Sequence, residues 1–459
     1  MQSFAQGTGP RNLDGARVVV VGAARSGLAL SRLLLKERAS VVLTDVRPAE
    51  ALGPETARLA RDGVTLQAGG HRPEAFKGAD LVAVSPGVPL SIEPLAQARR
   101  KGVPVLAEVE VASWFIKGIL IGITGTNGKS TTTSLAAHLL AHAGLKAIAC
   151  GNLGTPLSAL VDEDAPDRYY VVELSSFQLE GIETFRPWVA VLLNLAPDHQ
   201  DRYPAPMAYY QAKCRIFLNQ GPADHAVLNR DDPEVRGLER SVRARVHPFS
   251  RLADLADGAC LHQETIIVRR QGREIRVMPV SAVPLFGVHN LENVMAALLI
   301  TDLCGVPMPK AAQGVASFRG LPHRLEKVRD VGGVAYYNDS KATNVGATRQ
   351  SLLSFPGKVV LILGGKDKGG DFESLAPLVR ERVAHLVLMG QARDAIAAQI
   401  GPIVPQTRVA TMAEAVAAAR VAAAPGSVVL LAPACASFDQ YSGFEERGLD
   451  FRRIVLGLE

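Results

Sequence analysis

No run of about 18 apolar residues occurs anywhere in this chain, so no membrane-spanning helix can be read from it. The N-terminus lacks a basic stretch followed by an apolar one, and no secretory leader is expected. Cysteine is scarce: Cys150, Cys214, Cys260, Cys304 and Cys435 are scattered, odd in number and without a C-x-x-C. That pattern argues against a disulfide framework and against a zinc ribbon. A strong excess of one charge is missing too. Lys+Arg total 50 and Asp+Glu 45, a net charge of +5, which is too little for a nucleic-acid face and compatible with small anionic substrates. Nothing reads as a nucleophile triad, a redox centre or a helix-turn-helix. The expectation is a reduced, cytoplasmic protein with no nucleic-acid partner. Its 459 residues, 47% hydrophobic and 21% charged, are enough for about three well-filled domains at roughly 150 residues each.

The chain is organised around Ile121 to Ser134, IGITGTNGKSTTTS. An apolar run, Ile119 to Ile123, leads into Gly125-Thr126-Asn127-Gly128-Lys129-Ser130, and a helical pattern follows from Ser130 to His142. Strand, glycine turn, Lys-Ser and helix is the order a phosphate cradle requires. Glycines let backbone N–H groups turn toward an anion, and the helix N-terminus adds partial positive charge. Lys129 can reach the outer phosphates, and Ser130 can offer its hydroxyl to Mg²⁺. The first glycine of G-x-x-x-x-G-K-[ST] is replaced by Ile123, so the loop is a variant.

Strand patterns on either side deliver polar residues to their carboxyl ends. In the first third, VVVVG-AARSG, a helix and a strand ending at Asp45 resemble a dinucleotide fingerprint with Gly22 and Gly27. Its second glycine is Ala24, whose Cβ holds the backbone away from a pyrophosphate. Another strand ends in Ser85-Pro86-Gly87. In the middle third, Lys146 to Cys150 leads to Gly151-Asn152, Tyr169 to Val172 delivers Glu173, and Trp188 to Asn194 leads to Asp198-His199. A carboxylate beside a phosphate loop can hold Mg²⁺. Pro204 is expected to open a helix containing Lys213, which read alone is a solvated helix lysine. His138 and His142, spaced i, i+4, lack a third ligand and are expected to be a helix face. Gln271-Gly272 suggests a hairpin. Asn290 and Asn293, one turn apart at a helix start, can cap the helix or read a base. In the last third, strands end in Asp339-Ser340-Lys341-Ala342-Thr343-Asn344, in the Gly364–Gly370 loop containing Lys368, and in Cys435-Ala436-Ser437. Strands alternating with helices imply parallel α/β sheets.

With these segments in place, the chain resembles the Mur ligases. GTNGKST, ELSSFQLE, the DH loop, GVHNLEN, LPHRLE, NDSKATN and PACASFDQYSGFEERG all look like that family, in its order and over nearly the whole length. The last two, with SPG in the first domain, point to its D-glutamate-adding branch. The resemblance implies three α/β domains: a Rossmann-like domain at 1–107 for a UDP substrate, a P-loop ATPase-type parallel sheet at 108–320, and a Rossmann-like domain at 321–459 for the amino acid. It implies ATP-dependent addition of D-glutamate to UDP-N-acetylmuramoyl-L-alanine through an acyl phosphate and a tetrahedral intermediate, in cytoplasmic peptidoglycan precursor synthesis, by a monomer.

Carried over by position, Gly125, Thr126, Asn127, Gly128, Lys129, Ser130 and Thr131 hold the phosphates of ATP. Asn290, Asn293, Arg324 and Asp339 surround its nucleoside. Ser130, Glu173, His199 and Lys213 hold two Mg²⁺, with Mn²⁺ as a possible substitute. Lys213 is carbamylated by CO₂ in this reading, and Lys129, His199 and Lys213 serve catalysis. Gly22, Asp45, Arg47, Ser85 and Asn152 contact the UDP substrate. Lys341, Thr343, Lys368, Ser437 and Phe444 bind D-glutamate. The alternatives are another Mur-type or folylpolyglutamate-type ligase, a nicotinamide dehydrogenase resting on Gly22 and Asp45, and a non-catalytic nucleotide sensor.

Overall fold

A computed structural model describes residues 12–200, 202–203 and 205–459. The leader reading at residues 1–11, Asp201 and Pro204 lie outside the described residues. Three sheets organise the chain. Arg17–Val21 (β1), Ser40–Thr44 (β2), Thr65–Gln67 (β3), Leu81–Val84 (β4) and Val105–Ala107 (β5) form a parallel sheet in the order β3-β2-β1-β4-β5. Both faces of β1 are buried, because its residues are almost all valine. Val18 and Val20 pack with Leu30 and Leu34 of the helix Arg25–Lys36, while Val19 and Val21 pack with Leu95 and Ala98 of the helix Glu93–Arg100. A strand covered by helices on both sides reads as an unbroken apolar run.

The second sheet comprises Ile119–Thr124 (β6), Lys146–Gly151 (β7), Arg168–Glu173 (β8), Val189–Leu192 (β9), His225–Asn229 (β10), Arg245–Ser250 (β11), Gly258–His262 (β12), Thr265–Arg270 (β13) and Arg273–Pro279 (β14). Its order is β14-β13-β12-β11-β10-β9-β6-β8-β7, which places the phosphate-loop strand between β9 and β8. The hairpin at Gln271-Gly272 forms, with φ of 52° and 74°, as a two-residue turn with both central residues left-handed requires. The helix bearing Lys213 runs Pro206–Cys214. His138 and His142 stack, ring centroids 6.0 Å apart.

The third sheet comprises Glu326–Val331 (β15), Val334–Asn338 (β16), Val359–Gly364 (β17), Val383–Met389 (β18), Gln406–Arg408 (β19) and Val428–Leu431 (β20), in the order β15-β16-β20-β17-β18-β19. β15, at the edge, pairs antiparallel with β16, whereas the pairings β16–β20, β20–β17, β17–β18 and β18–β19 are parallel. The described residues fall into two compact units. One contains the chain up to Leu195 with Met207–Met278 and Val294–Val315; the other contains Ala196–Pro206, Pro279–Asn293 and Ala316–Glu459.

Within the first unit, the first and second sheets are joined through the short helix Glu108–Ser113. Glu110 is fully buried, and its carboxylate accepts from the backbone N–H groups of Glu183, Thr184 and Phe185 at 2.8–3.0 Å and from Trp114 Nε1 at 3.0 Å. Glu108 Oε1 accepts from Ser158 N at 2.8 Å. Burial raises the Glu108 carboxyl above the ordinary carboxylate range, against the lowering effect of Ser158.

Candidate functional site

The phosphate-loop turn follows directly from β6. Gly125 has φ 151° and Gly128 has φ 84°, conformations that favour glycine. A Cβ at Gly125 would stand 3.0 Å from Leu193 Cβ and 3.3 Å from Asn194 N, so the turn is packed against the end of β9. Asn194 holds it there: Thr126 N donates to Asn194 O at 2.9 Å, Asn127 N donates to Asn194 Oδ1 at 2.8 Å, and Asn194 Nδ2 donates to Asn127 O at 3.1 Å. Lys129 Nζ donates to Gly125 O and Thr126 O, both at 2.8 Å. Ser130 and Thr131, in the first turn of the helix Lys129–His142, are buried.

Two further residues arrive from the neighbouring strand and helix. Ile123 of β6 pairs with Glu173 at the end of β8, which brings a buried carboxylate beside the turn. Asn152 Nδ2 donates to Glu173 Oε1 at 2.8 Å, and Asn152 N donates to Glu173 O at 2.9 Å. Lys213 departs from its solvated expectation. It is 1% exposed, its Nζ donates to Gly125 O at 2.8 Å, and it lies 4.5 Å from the Tyr209 ring centroid. Two ammonium groups, Lys129 and Lys213, therefore share one carbonyl oxygen.

These residues fit MgATP by the chemistry of their donors. Ser130 hydroxyl and Glu173 carboxylate are hard oxygens suited to Mg²⁺. Among the described residues no group of three or more His, Cys, Asp or Glu could hold an ion.

The first sheet gathers Gly22, Asp45, Arg47 and Ser85 at the point where its strand order reverses. Ser85 Oγ donates to Gly22 O at 2.9 Å, and a Cβ at Gly27 would meet Gly22 O at 1.8 Å. The degenerate fingerprint thus serves close packing of turn and helix. Asp45 accepts from Ala23 N at 2.7 Å and from Arg47 N, Nε and Nη2 at 2.9–3.0 Å. Burial alone would raise its carboxyl, but hydrogen bonds from Arg47 and the Arg47 and Ala23 amides bring it down to about 2. The guanidinium of Arg47 remains half-exposed.

In the second unit, Asn290 and Asn293 are buried on the first turn of the helix His289–Leu303, joined by a 2.9 Å hydrogen bond from Asn293 Nδ2 to Asn290 Oδ1. Nearby are three buried polar atoms without a hydrogen-bonding partner: His289 Nδ1, Arg324 Nε and Asp339 Oδ1. Burial, then the Arg324 charge, lowers His289 to about 4. Burial pushes the Asp339 carboxyl up, while Arg324 draws it down. Partnerless buried donors and acceptors around one guanidinium mark a polar ligand pocket. His289 stands in GVHNLEN, and its burial is a feature the sequence pattern does not show.

The remaining residues cluster at the carboxyl ends of β16, β20 and β17, which are adjacent in the third sheet. Thr343 N donates to Lys341 O at 2.9 Å. Lys341 Nζ lies 4.8 Å from the Phe444 ring centroid. Ser437 is buried in the loop after β20, and Lys368 stands half-buried in the loop after β17. His199 belongs to this unit. It has φ 53°, its N–H donates to Asp198 Oδ1 at 2.8 Å, and Asn344 Nδ2 donates to Asp198 Oδ2 at 2.8 Å. Asp198 thereby couples the His199 loop to the end of the NDSKATN segment, a link no spacing in the sequence announces.

Comparison with known proteins accounts for the same three regions. Residues 16–107 match the Mur ligase MurD-like N-terminal domain, 123–301 the Mur ligase middle domain and 323–435 the Mur ligase glutamate ligase domain. The UDP-N-acetylmuramoylalanine–D-glutamate ligase of Geotalea daltonii is 47% identical over 446 residues, covering 97% of this chain and 98% of that one. The ligase of the same name from Pelotomaculum thermopropionicum is 44% identical over 445 residues, covering 96% and 98%. In fold, the chain is similar to a pseudomurein peptide ligase type C from Methanothermus fervidus (TM-score 0.61, 17% identity, 97% and 100% covered). It is also similar to the UDP-N-acetylmuramate-alanine ligase of Thermotoga maritima (TM-score 0.60, 17% identity, 96% and 99% covered).

Proposed function

The chain belongs to the Mur ligase family, and from that membership we propose how its residues divide the work of joining D-glutamate to UDP-N-acetylmuramoyl-L-alanine. It is an ATP-dependent ligase of peptidoglycan synthesis. A carboxylate is a poor acyl donor; transfer of a phosphoryl group from ATP gives its oxygen a leaving group. The amine of D-glutamate then attacks the acyl phosphate, and the tetrahedral intermediate collapses to amide and phosphate, with ADP the other product.

The Gly125–Thr131 turn cradles the triphosphate, and Lys129 neutralises the charge that spreads over the transferring phosphoryl. Asn290, Asn293, Arg324 and Asp339 hold the nucleoside. Ser130 and Glu173 would hold Mg²⁺, which would supply neutralisation of the phosphate oxygens, and His199 and a carbamylated Lys213 are each proposed as metal ligands. Carbamylation of Lys213 is supported by its burial and by the carbonyl it shares with Lys129, because an anion there would replace a like-charge neighbour. Gly22, Asp45, Arg47, Ser85 and Asn152 engage the UDP substrate, with the half-exposed Arg47 facing diphosphate. Lys341, Thr343, Lys368, Ser437 and Phe444 receive D-glutamate, whose two carboxylates call for cationic and hydroxyl donors.

The proposed domain limits are 1–107, 108–320 and 321–459, and the proposed setting is a monomer in the cytoplasm. All five cysteines are free, as a reducing compartment requires, and among the described residues no helix is long and apolar enough to cross a membrane. The reading is carried by one observation: Lys129, Lys213, Ser130, Glu173 and Asn152 all meet at the turn after β6. ADP release measured with UDP-N-acetylmuramoyl-L-alanine and a panel of amino acids tests it. D-Glutamate should support release, and L-glutamate and diaminopimelate should not. Release driven equally by another amino acid would move the chain to a different acceptor.

A further inference from the structure

Arg447 is 1% exposed and heads the largest fully buried side chains of the protein. It sits on the inward face of the helix Phe444–Leu456, in line with Gly448, Phe451 and Val455. A position at this spacing ordinarily holds an apolar residue. Among the described residues, no carboxylate hydrogen-bonds its guanidinium. Nε donates to Ser340 Oγ at 2.9 Å, Nη2 to Ser340 O at 2.8 Å and to Cys435 O at 3.1 Å, and Nη1 to Ala436 O at 3.2 Å. A buried cation satisfied by carbonyls and one hydroxyl costs stability, and an apolar residue of like volume would avoid that cost.

Two of the three partner residues, Ser340 and Ala436, directly precede a residue of the proposed acceptor pocket. Ser340 precedes Lys341, and its Oγ donates to Phe444 O at 2.8 Å. Ala436 precedes Ser437. Ala436 also pairs with Lys366, through 2.8 and 3.0 Å backbone hydrogen bonds, which ties in the loop that carries Lys368. Gly365 leaves room for the fork, since a Cβ there would stand 3.0 Å from Arg447 Nη1. The loops after β16, β20 and β17 and the start of the last helix therefore converge on one planar group. Arginine presents five donors in a rigid fork, which lysine cannot imitate.

We infer that Arg447 is a positioning residue for the amino-acid acceptor: it fixes the loops bearing Lys341, Ser437, Phe444 and Lys368 and keeps beneath them a buried positive charge that, with Asp439 only at electrostatic range, attracts a dicarboxylate. The inference rests on the reading of those residues as the D-glutamate pocket. Burial takes the guanidinium down only to about 10, so it stays charged at neutral pH.

The test is steady-state ADP release by the full chain, with KM determined for all three substrates. Arg447→Lys keeps the charge and loses the fork; Arg447→Met keeps the bulk and loses both. For Arg447→Lys, KM for D-glutamate should rise about tenfold, and for Arg447→Met about a hundredfold. KM for ATP and for the UDP substrate should stay within about twofold, a split that a merely structural residue does not produce. Melting temperature is followed in parallel. If Arg447→Met fails to fold, Arg447→Lys carries the test alone. An unchanged KM for D-glutamate in Arg447→Lys, or an equal rise for all three substrates, overturns the inference. Should the unsubstituted enzyme release no ADP in response to D-glutamate, the acceptor reading fails instead, and the two failures remain distinct.

Discussion

Two glycine turns in this molecule start from the same plan and end differently. One follows β1 at Gly22, the other follows β6 at Gly125, and each leads from a buried parallel strand into a helix. In the first, an internal anion lies against the turn: Asp45 accepts the Ala23 N–H, and Arg47 balances the carboxylate. In the second, the turn is held by the neutral amide of Asn194, and two lysines converge on its Gly125 carbonyl. The backbone motif alone therefore does not specify its ligand. What differs is the charge placed beside the turn. A turn set against an Asp–Arg pair suits recognition, where little charge develops during reaction. A turn that keeps the Lys129 ammonium beside it suits a step in which negative charge spreads.

The largest effect should separate the turns outright. Lys129→Ala should lower ADP formation by about a thousandfold or more, whereas Arg47→Ala should raise KM for the UDP substrate by about tenfold with kcat retained. Equal losses of kcat would erase the distinction. Next comes Lys213→Ala, expected to lose about a hundredfold in kcat and to regain part of it with acetate, a carboxylate able to stand where the carbamate would. Full activity without acetate would refute the carbamate. The smallest effect concerns acid stability. The folded pKa of Asp45, about 2, lies below its unfolded value of roughly 3.9. Its contribution is thus complete above about pH 4 and disappears as pH falls through about 2. Hydrogen exchange at the Ala23 amide should therefore differ between the wild type and Asp45→Asn by a constant factor above about pH 4, and converge below it. A difference that kept changing between about pH 5 and 8 would point to another group, such as His71, whose ring burial lowers its pKa.

Much of this fold could be read from the chain because parallel strands buried on both faces are continuous apolar runs. β6, β7 and β8 fall where the runs from Ile119, Lys146 and Tyr169 predict, to within a residue at each end. The strands that escaped notice lack that signature. β3 and β19 are three residues long. β11 reads RVHPFS and contains Pro248, which argues against a strand inside a sheet, although it pairs on both sides with β10 and β12. The positions of Asp45, Glu173 and Asp339 at strand ends were equally legible, and carboxyl ends of parallel strands are where ligands collect. The burial of Lys213 and Arg447 was not. A charged residue on a helix is solvated by default, and only the surrounding fold reveals that these two are buried.

The seam at Glu108 and Glu110 has a practical consequence for anyone dividing the protein into parts. The carboxylates that fasten the first sheet to the second reside on the short helix after β5, yet the groups they hold, Ser158 N and the amides of residues 183–185, lie deeper in the sequence. A fragment that ends after this helix would carry off the fasteners and strip four backbone donors of their acceptors. A fragment that begins at Glu108 keeps these four bonds and loses the one from Ala107 N to Gly181 O.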